Sequence, residues 1–259
     1  MNTVKIGTLD ISQFLLGSNP ISGFSHLSRE IDARMRHYFT TAQVKRLFRD
    51  AEALGVTTLL ARADHHVMRL LMEYWDEGGS LKWIAQTCPE VGTIERGVQN
   101  AISGGASACF IHGGLVDHLF GEGKLDEIPP ALEQIRAAGL PAGIAGHNPD
   151  VHRWAEQTLD LDFYMCCYYN PSSRAASPEH QAGAQECFVD EDRQVMTGLI
   201  QTLSRPVIHY KVMAAGRNNP DEAFAFVRSK LRPSDAVCVG VYDQDDPDML
   251  KNNIQALCG

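Results

Sequence analysis

The stretch that most restricts the fold is Ala108-Cys109-Phe110-Ile111-His112-Gly113-Gly114. Its apolar half reads as a fully buried strand, and it ends on an imidazole beside two glycines that allow backbone or ligand to approach closely. The arrangement recurs: Arg62-Ala63-Asp64-His65, Gly146-His147-Asn148, Ile208-His209-Tyr210-Lys211 and Val241-Tyr242-Asp243 each follow an apolar run in the same way. Strands that end in polar residues and feed helices are what a parallel α/β barrel needs around a site at its carboxyl-terminal face. At 259 residues the chain has the length of one (β/α)8 TIM barrel, so a single domain over 1–259 is expected.

Taken in order, residues 4–6 and 9–12 around Gly7 predict a hairpin that plugs the barrel floor, ahead of a first barrel strand at 14–17. Further strands are expected at 56–61, 80–87, 108–111, 142–145, 163–169, 206–208 and 236–241. Helices fall between them. Thr40-Thr41 caps one, Asp150 another, Asp221 opens a third, and Asp246-Pro247-Asp248 starts the last with a cap, a proline and an early acid. Residues 171–188 contain Pro171, Pro178, His180 and three serines, and a loop of that length in a compact domain is expected to be a lid or binding loop.

Net charge of −9 argues against a nucleic-acid partner, which normally meets a basic face. Seven cysteines, an odd number with four in or beside expected strands, suit reduced thiols better than a disulfide framework. The first residues, Met1-Asn2-Thr3-Val4-Lys5-Ile6-Gly7, carry no secretory apolar segment, and no apolar run reaches membrane-spanning length. A cytoplasmic address without a membrane partner follows, with a small molecule as the expected partner. Oligomeric state is not legible.

The strand exits supply the candidate chemistry. His112, His147 and His209 would form a metal centre, with Asp243, Asp64 or His65 as a further ligand or base. Converging neutral imidazoles suit a divalent metal, zinc or manganese, that acidifies water or polarises a carbonyl. The same histidines equally suit pocket residues or general bases. Asp64 or His65 would move a proton. Lys211 would position an anion, or form a Schiff base if burial or a neighbouring cation lowers its pKa. Arg62 and Arg217 would meet a substrate carboxylate or phosphate, or else pair with Asp64 or Asp243. Asn148 and Tyr210 are expected to contact substrate. Tyr164, Tyr168 and Tyr169 would join Tyr210 in a stacking wall or pack in the core, while Cys166 and Cys167 read as nucleophile or packing. His26 could cover the pocket, whereas His118, His152 and His180 read as surface or loop residues.

Several of these stretches together resemble the aldo-keto reductases: the hairpin leading into Leu15-Leu16-Gly17-Ser18-Asn19-Pro20, Gly55 before the second strand, His112, Tyr169-Asn170-Pro171, and Asp246-Pro247-Asp248-Met249-Leu250-Lys251-Asn252-Asn253. The resemblance runs end to end. It implies the barrel, and carbonyl reduction by NADPH with a tetrad of Asp, Tyr, Lys and His. Only the histidine has a counterpart, His112. Leu60 or Ala61 stands where the aspartate falls, His65 near the tyrosine, and Gln86-Thr87 at the lysine. Without the Asp and Lys a tyrosine is not tuned as proton donor. Asp243-Gln244-Asp245-Asp246 replaces the cations that hold the 2′-phosphate, so NADP is not expected, although His147-Asn148 keeps half of the family's Ser-Asn pair for the nicotinamide amide. The reading is a barrel refitted as a metal-assisted isomerase, lyase or hydrolase for a small polar, carbohydrate-like carbonyl compound or hydroxy acid. The alternatives are an NADP-dependent reductase of the family type and a non-catalytic binding barrel.

Overall fold

Alternation along short buried strands decides which side chains meet inside a barrel and which meet the helices around it. The computed structural model describes residues 1–172, 174, 177–179 and 186–259. Strands β1 (Thr3–Ile6) and β2 (Leu9–Ser12) form the expected antiparallel hairpin. Its turn uses Gly7 at φ 53°, where an added Cβ would lie 2.8 Å from Asp162 Oδ1. Val4, Ile6 and Ile11 of the hairpin pack with Leu15, Ile84 and Phe163 inside the barrel, closing its floor.

Eight parallel strands close on themselves: β3 (Phe14–Gly17), β4 (Thr58–Arg62), β5 (Lys82–Gln86), β6 (Ala108–Ile111), β7 (Ala142–Gly146), β8 (Phe163–Cys167), β9 (Val207–Tyr210) and β10 (Ala236–Gly240), with β10 pairing β3. The helices that surround them are α1 (Arg29–Tyr38), α2 (Thr41–Ala53), α3 (His65–Asp76), α4 (Ile94–Ser103), α5 (Gly113–Glu122), α6 (Ile128–Ala137), α7 (Pro149–Thr158), α8 (Asp190–Ile200), α9 (Pro220–Lys230) and α10 (Met249–Cys258). None of the described helices is long and apolar enough to cross a membrane. All seven cysteines are free thiols.

Leu60, Phe110, Met165, Ile208 and Tyr210 face the interior, and Leu59, Ile111, Cys166 and Val207 face the helices. His209 has the parity of Val207 and therefore lies on the outer side of the wall. This one register fact changes the site expected from sequence.

Helices α1 and α5 were not expected. The first is mostly polar, so hydrophobic periodicity did not reveal it. It is held instead by Ser28, whose hydroxyl accepts from the Ile31 amide, by Glu30 and Asp32 in the first turn and by Arg36 and His37 in the last. In the second, Gly113-Gly114 is the opening turn of a helix rather than a ligand loop. An added Cβ on Gly113 would sit 3.1 Å from Tyr210 Oη and 3.2 Å from the Gly146 nitrogen, so glycine lets α5 abut the strand exits.

Candidate active site

A cavity of about 980 Å³ opens at the carboxyl-terminal mouth of the barrel. Its lining includes Arg62 after β4, Gln86 of β5, His112 after β6, His147 after β7, and Tyr210 and Lys211 at the end of β9. Arg174, from the segment after β8, and His26, from the loop after β3, reach it as well.

Asp117 on α5 organises the β7 exit. Its carboxylate accepts the backbone amides of His147 and Asn148, each at 3.1 Å, and His147 Nδ1–H at 2.7 Å. Both side chains of the pair are only 6% exposed. With Nδ1 protonated, His147 presents Nε2 as an acceptor, 3.4 Å from the Tyr210 hydroxyl, which lies equally far from the Gly146 carbonyl. Burial lowers the His147 pKa and outweighs the opposing pull of Asp117, so the ring is held neutral near neutral pH. Burial likewise raises the Tyr210 pKa well above that of a free phenol and keeps its proton in place.

His112 carries the opposite tautomer. Its Nδ1 accepts from the Leu115 amide at 3.3 Å as it caps α5, which leaves the proton on Nε2. Burial holds this histidine neutral too, with the neighbouring His147, Arg174, Arg62 and Lys211 adding to the effect. One imidazole therefore offers a donor to the cavity and the other an acceptor.

Lys211 breaks the strand. Its φ is 54°, left-handed backbone that non-glycine residues rarely adopt, and Ala214 and Ala215 follow at 49° and 56°. The break brings two consecutive side chains, Tyr210 and Lys211, to one cavity, which a regular strand forbids. Among the described residues the Lys211 ammonium has no hydrogen-bond or ion-pair partner. Burial lowers its pKa.

Other expected site residues are placed elsewhere. His209 Nε2–H donates to Asp235 at 3.2 Å and its Nδ1 accepts from the Tyr168 hydroxyl at 2.9 Å, all on the outer side of the wall. Asp243 also turns outward, accepting from Arg46 at 2.6 Å. The ligand set His112, His147, His209 and Asp243 is thus not assembled. Among the described residues no group of three or more His, Cys, Asp and Glu side chains is placed to hold a metal ion.

Asp64 is not free to move a proton, because it caps α3 through the Val67 amide and accepts Arg62 Nε at 3.0 Å. His65 is exposed on the first turn of α3. Asn148 caps α7 and does not line the cavity. Arg217 is outside it too, stacked 4.3 Å over Phe188 and donating to the His26 carbonyl. Arg62 does line the cavity, yet it is shared with Asp64, Glu90 and the ring of Phe24. Of the tyrosines thought to form a wall, only Tyr210 lines the cavity; Tyr164 donates to Glu156, Tyr168 lies outside, and the Tyr169 hydroxyl accepts from Asn218.

His152, expected at the surface, is fully buried against the Gly146 carbonyl, and its pKa is lowered to about 4. His118 is partly buried on the Arg174 carbonyl. His26, by contrast, does cover the pocket and pairs with Glu186 at 2.9 Å. Within the expected lid, Ser173, Ala175, Ala176, His180 and residues 181–185 lie outside the described residues. Of its described part, Arg174 lines the cavity, the Cys187 amide donates to the Pro171 carbonyl, and Phe188 meets Tyr169 edge-on.

Sequence reading missed Asp117 and Arg174. The signal for the first was one acid within the apolar run Gly113-Gly114-Leu115-Val116-Asp117, on a helix that was not expected. The second lay in irregular sequence without any signal. At the far end of the cavity, beside α10, the lining carries Asp221, Asp245, Asp246 and Asn253. Asp245 is paired with Arg34 at 3.1 Å, and the Asn253 amide nitrogen is buried without a partner among the described residues.

The closed parallel barrel with its hairpin floor is similar in fold to solved structures that include proteins named as aldo-keto reductases. Among solved structures it is similar to a Pseudomonas aeruginosa protein provisionally named an aldo-keto reductase, with a TM-score of 0.65 and 16% identity over 98% of this chain and 94% of the other. A protein provisionally named 2,5-diketo-D-gluconic acid reductase B gives 0.58 and 13%, covering 99% and 85%. A truncated 3-deoxy-D-arabino-heptulosonate 7-phosphate synthase from Thermotoga maritima gives 0.53 and 11%, covering 95% and 82%. No family model and no curated protein matches the sequence.

Proposed function

We propose that this barrel is an enzyme that moves a proton next to the carbonyl of a small, polar, sugar-like compound, in an isomerisation or a lyase reaction. The observation that carries the reading is the pair of neutral imidazoles in opposite tautomers, His112 and His147, facing one cavity. His112 Nε2–H donates to the carbonyl oxygen, as a neutral imidazole can where negative charge develops. His147 Nε2 takes the proton from the adjacent carbon, and Asp117 stabilises the imidazolium that results. Tyr210 hydrogen-bonds on the same edge, and the cations of Arg62 and Arg174 offset the charge of the enolate.

His112 and His147 are the two members of the expected ligand set that reach the cavity, and here they serve as acid and base. The far end of the cavity does not fit the 2′-phosphate of NADP. Its lining brings carboxylates from Asp221, Asp245 and Asp246, and the nearby Arg34 is already paired with Asp245. No step is routed through a nicotinamide.

The test is exchange of carbon-bound hydrogen in deuterated water, followed by proton NMR, with dihydroxyacetone, glyceraldehyde and a set of aldoses and ketoses. The wild-type protein is expected to exchange the hydrogen beside the carbonyl of at least one of them. His147→Ala is expected to lose about a thousandfold in rate. Absence of wild-type exchange across the set, or full exchange by the variant, overturns the reading.

A further inference from the structure

We propose that Lys211 binds the substrate covalently, its Nζ condensing with the carbonyl carbon of an aldehyde or ketone to form an imine. This deepens the acid–base reading above and rests on it for the fate of the bound substrate. Three observations converge. The left-handed break after β9 turns Lys211 into the same cavity as Tyr210, although the two are adjacent in sequence. No described carboxylate pairs with its ammonium, whereas Arg34, Arg62 and Arg193 all have acidic partners. It lines the same cavity as His112 and His147. Burial favours the uncharged amine, which is the nucleophilic form.

The chemistry balances with the groups present. The Nζ lone pair forms the C–N bond while the carbonyl π pair moves to oxygen, which takes a proton donated by His112 Nε2–H. His147 Nε2 removes one proton from nitrogen and returns it to the departing hydroxyl, and the second nitrogen proton restores His112 Nε2–H. In the net change, both amine protons leave with the carbonyl oxygen as one water, and a C=N bond replaces C=O. Once it takes up a proton from solvent water, the imine withdraws electrons from the adjacent carbon more strongly than a carbonyl does, so the proton transfer assigned to His147 becomes easier.

The experiment is reductive trapping. The whole protein is incubated with glycolaldehyde or dihydroxyacetone and cyanoborohydride, which reduces an imine to a stable secondary amine, and is mapped by peptide mass spectrometry. One adduct on Lys211, formed ahead of any on Lys5, Lys45, Lys82 or Lys124, is expected. It should be lost in Lys211→Arg and in Lys211→Met, with thermal melts confirming that at least one variant is folded. Adducts spread over the exposed lysines without preference for Lys211 overturn the inference, and need no variant to be read. If Lys211→Arg also keeps hydrogen exchange, the lysine is only a charge, and the acid–base reading survives alone. Trapping at Lys211 without wild-type exchange keeps the imine and removes that reading instead.

Discussion

His209 and Tyr210 are neighbours on β9, yet each belongs to a different aspartate–histidine–tyrosine array, one on either side of the barrel wall. Outside, Asp235 accepts from His209, from Arg232 at 2.8 Å and from the Val207 amide at 2.9 Å, and neither His209 nor Asp235 is exposed at all. Burial alone would raise the Asp235 pKa, but the hydrogen bonds from His209 and Arg232 overcome that and hold it below the ordinary value. Inside, Asp117 is as well satisfied, but the chain of contacts ends differently. His147 Nε2 meets a hydroxyl at 3.4 Å, longer than a good hydrogen bond, at the edge of a cavity. The same three residue types tie β9 to the loop before β10 in one place and leave an imidazole nitrogen at the edge of a cavity in the other. What lies at the open end decides the role.

The comparison can be broken most sharply at Asp235. Asp235→Ala leaves His209 and Arg232 without their acceptor, and a loss of about 3 kcal/mol or more in chemical denaturation is expected. The exchange rate per folded molecule should be retained. Unchanged stability would show that the outer array does not hold the wall.

Next in size, Asp117→Asn is expected to lower the exchange rate about a hundredfold, or about 2.7 kcal/mol in the barrier, because an amide neither fixes the His147 tautomer nor stabilises its charged form. Its stability should fall by less than that of Asp235→Ala. Equal losses of stability in the two variants would erase the distinction drawn here.

The gentlest probe is pH. His112, His147 and His152 are all depressed below the ordinary 6.5, the last to about 4. The unfolded chain therefore takes up protons first, so stability is complete above the ordinary histidine value and declines as pH falls toward the folded values. Exchange should decline in the same direction, since His147 acts unprotonated. Asp235 contributes through that window and loses its effect only below the ordinary carboxylate value of 3.8. A melting temperature that stays flat from neutral pH to about pH 4.5 would contradict the buried neutral histidines.

Much of the architecture was legible because the physics is local. Short apolar runs bounded by polar exits and helix caps gave the eight strands, and the turn at Gly7 gave the floor. The site was half legible for an equally definite reason. A strand in a parallel barrel is buried on both faces, so Ile208-His209-Tyr210 does not reveal which parity looks inward. That depends on register around the whole barrel. His209 therefore faces the helices rather than the expected metal site, and Asp243 turns away from it to Arg46, a partner far off in sequence. His112 and His147 stand one residue past the ends of β6 and β7, and both line the cavity. Asp117 escaped because it sits on a helix whose two leading glycines read as loop.

The plugged floor has a consequence for traffic. With Val4, Ile6 and Ile11 stoppering one end, anything that reaches His112 and His147 from the mouth must back out by the way it came. A bimolecular reaction in such a vessel is ordered by queueing: whichever compound settles deepest must arrive first and depart last. The loop bearing His26, paired with Glu186, stands at that doorway.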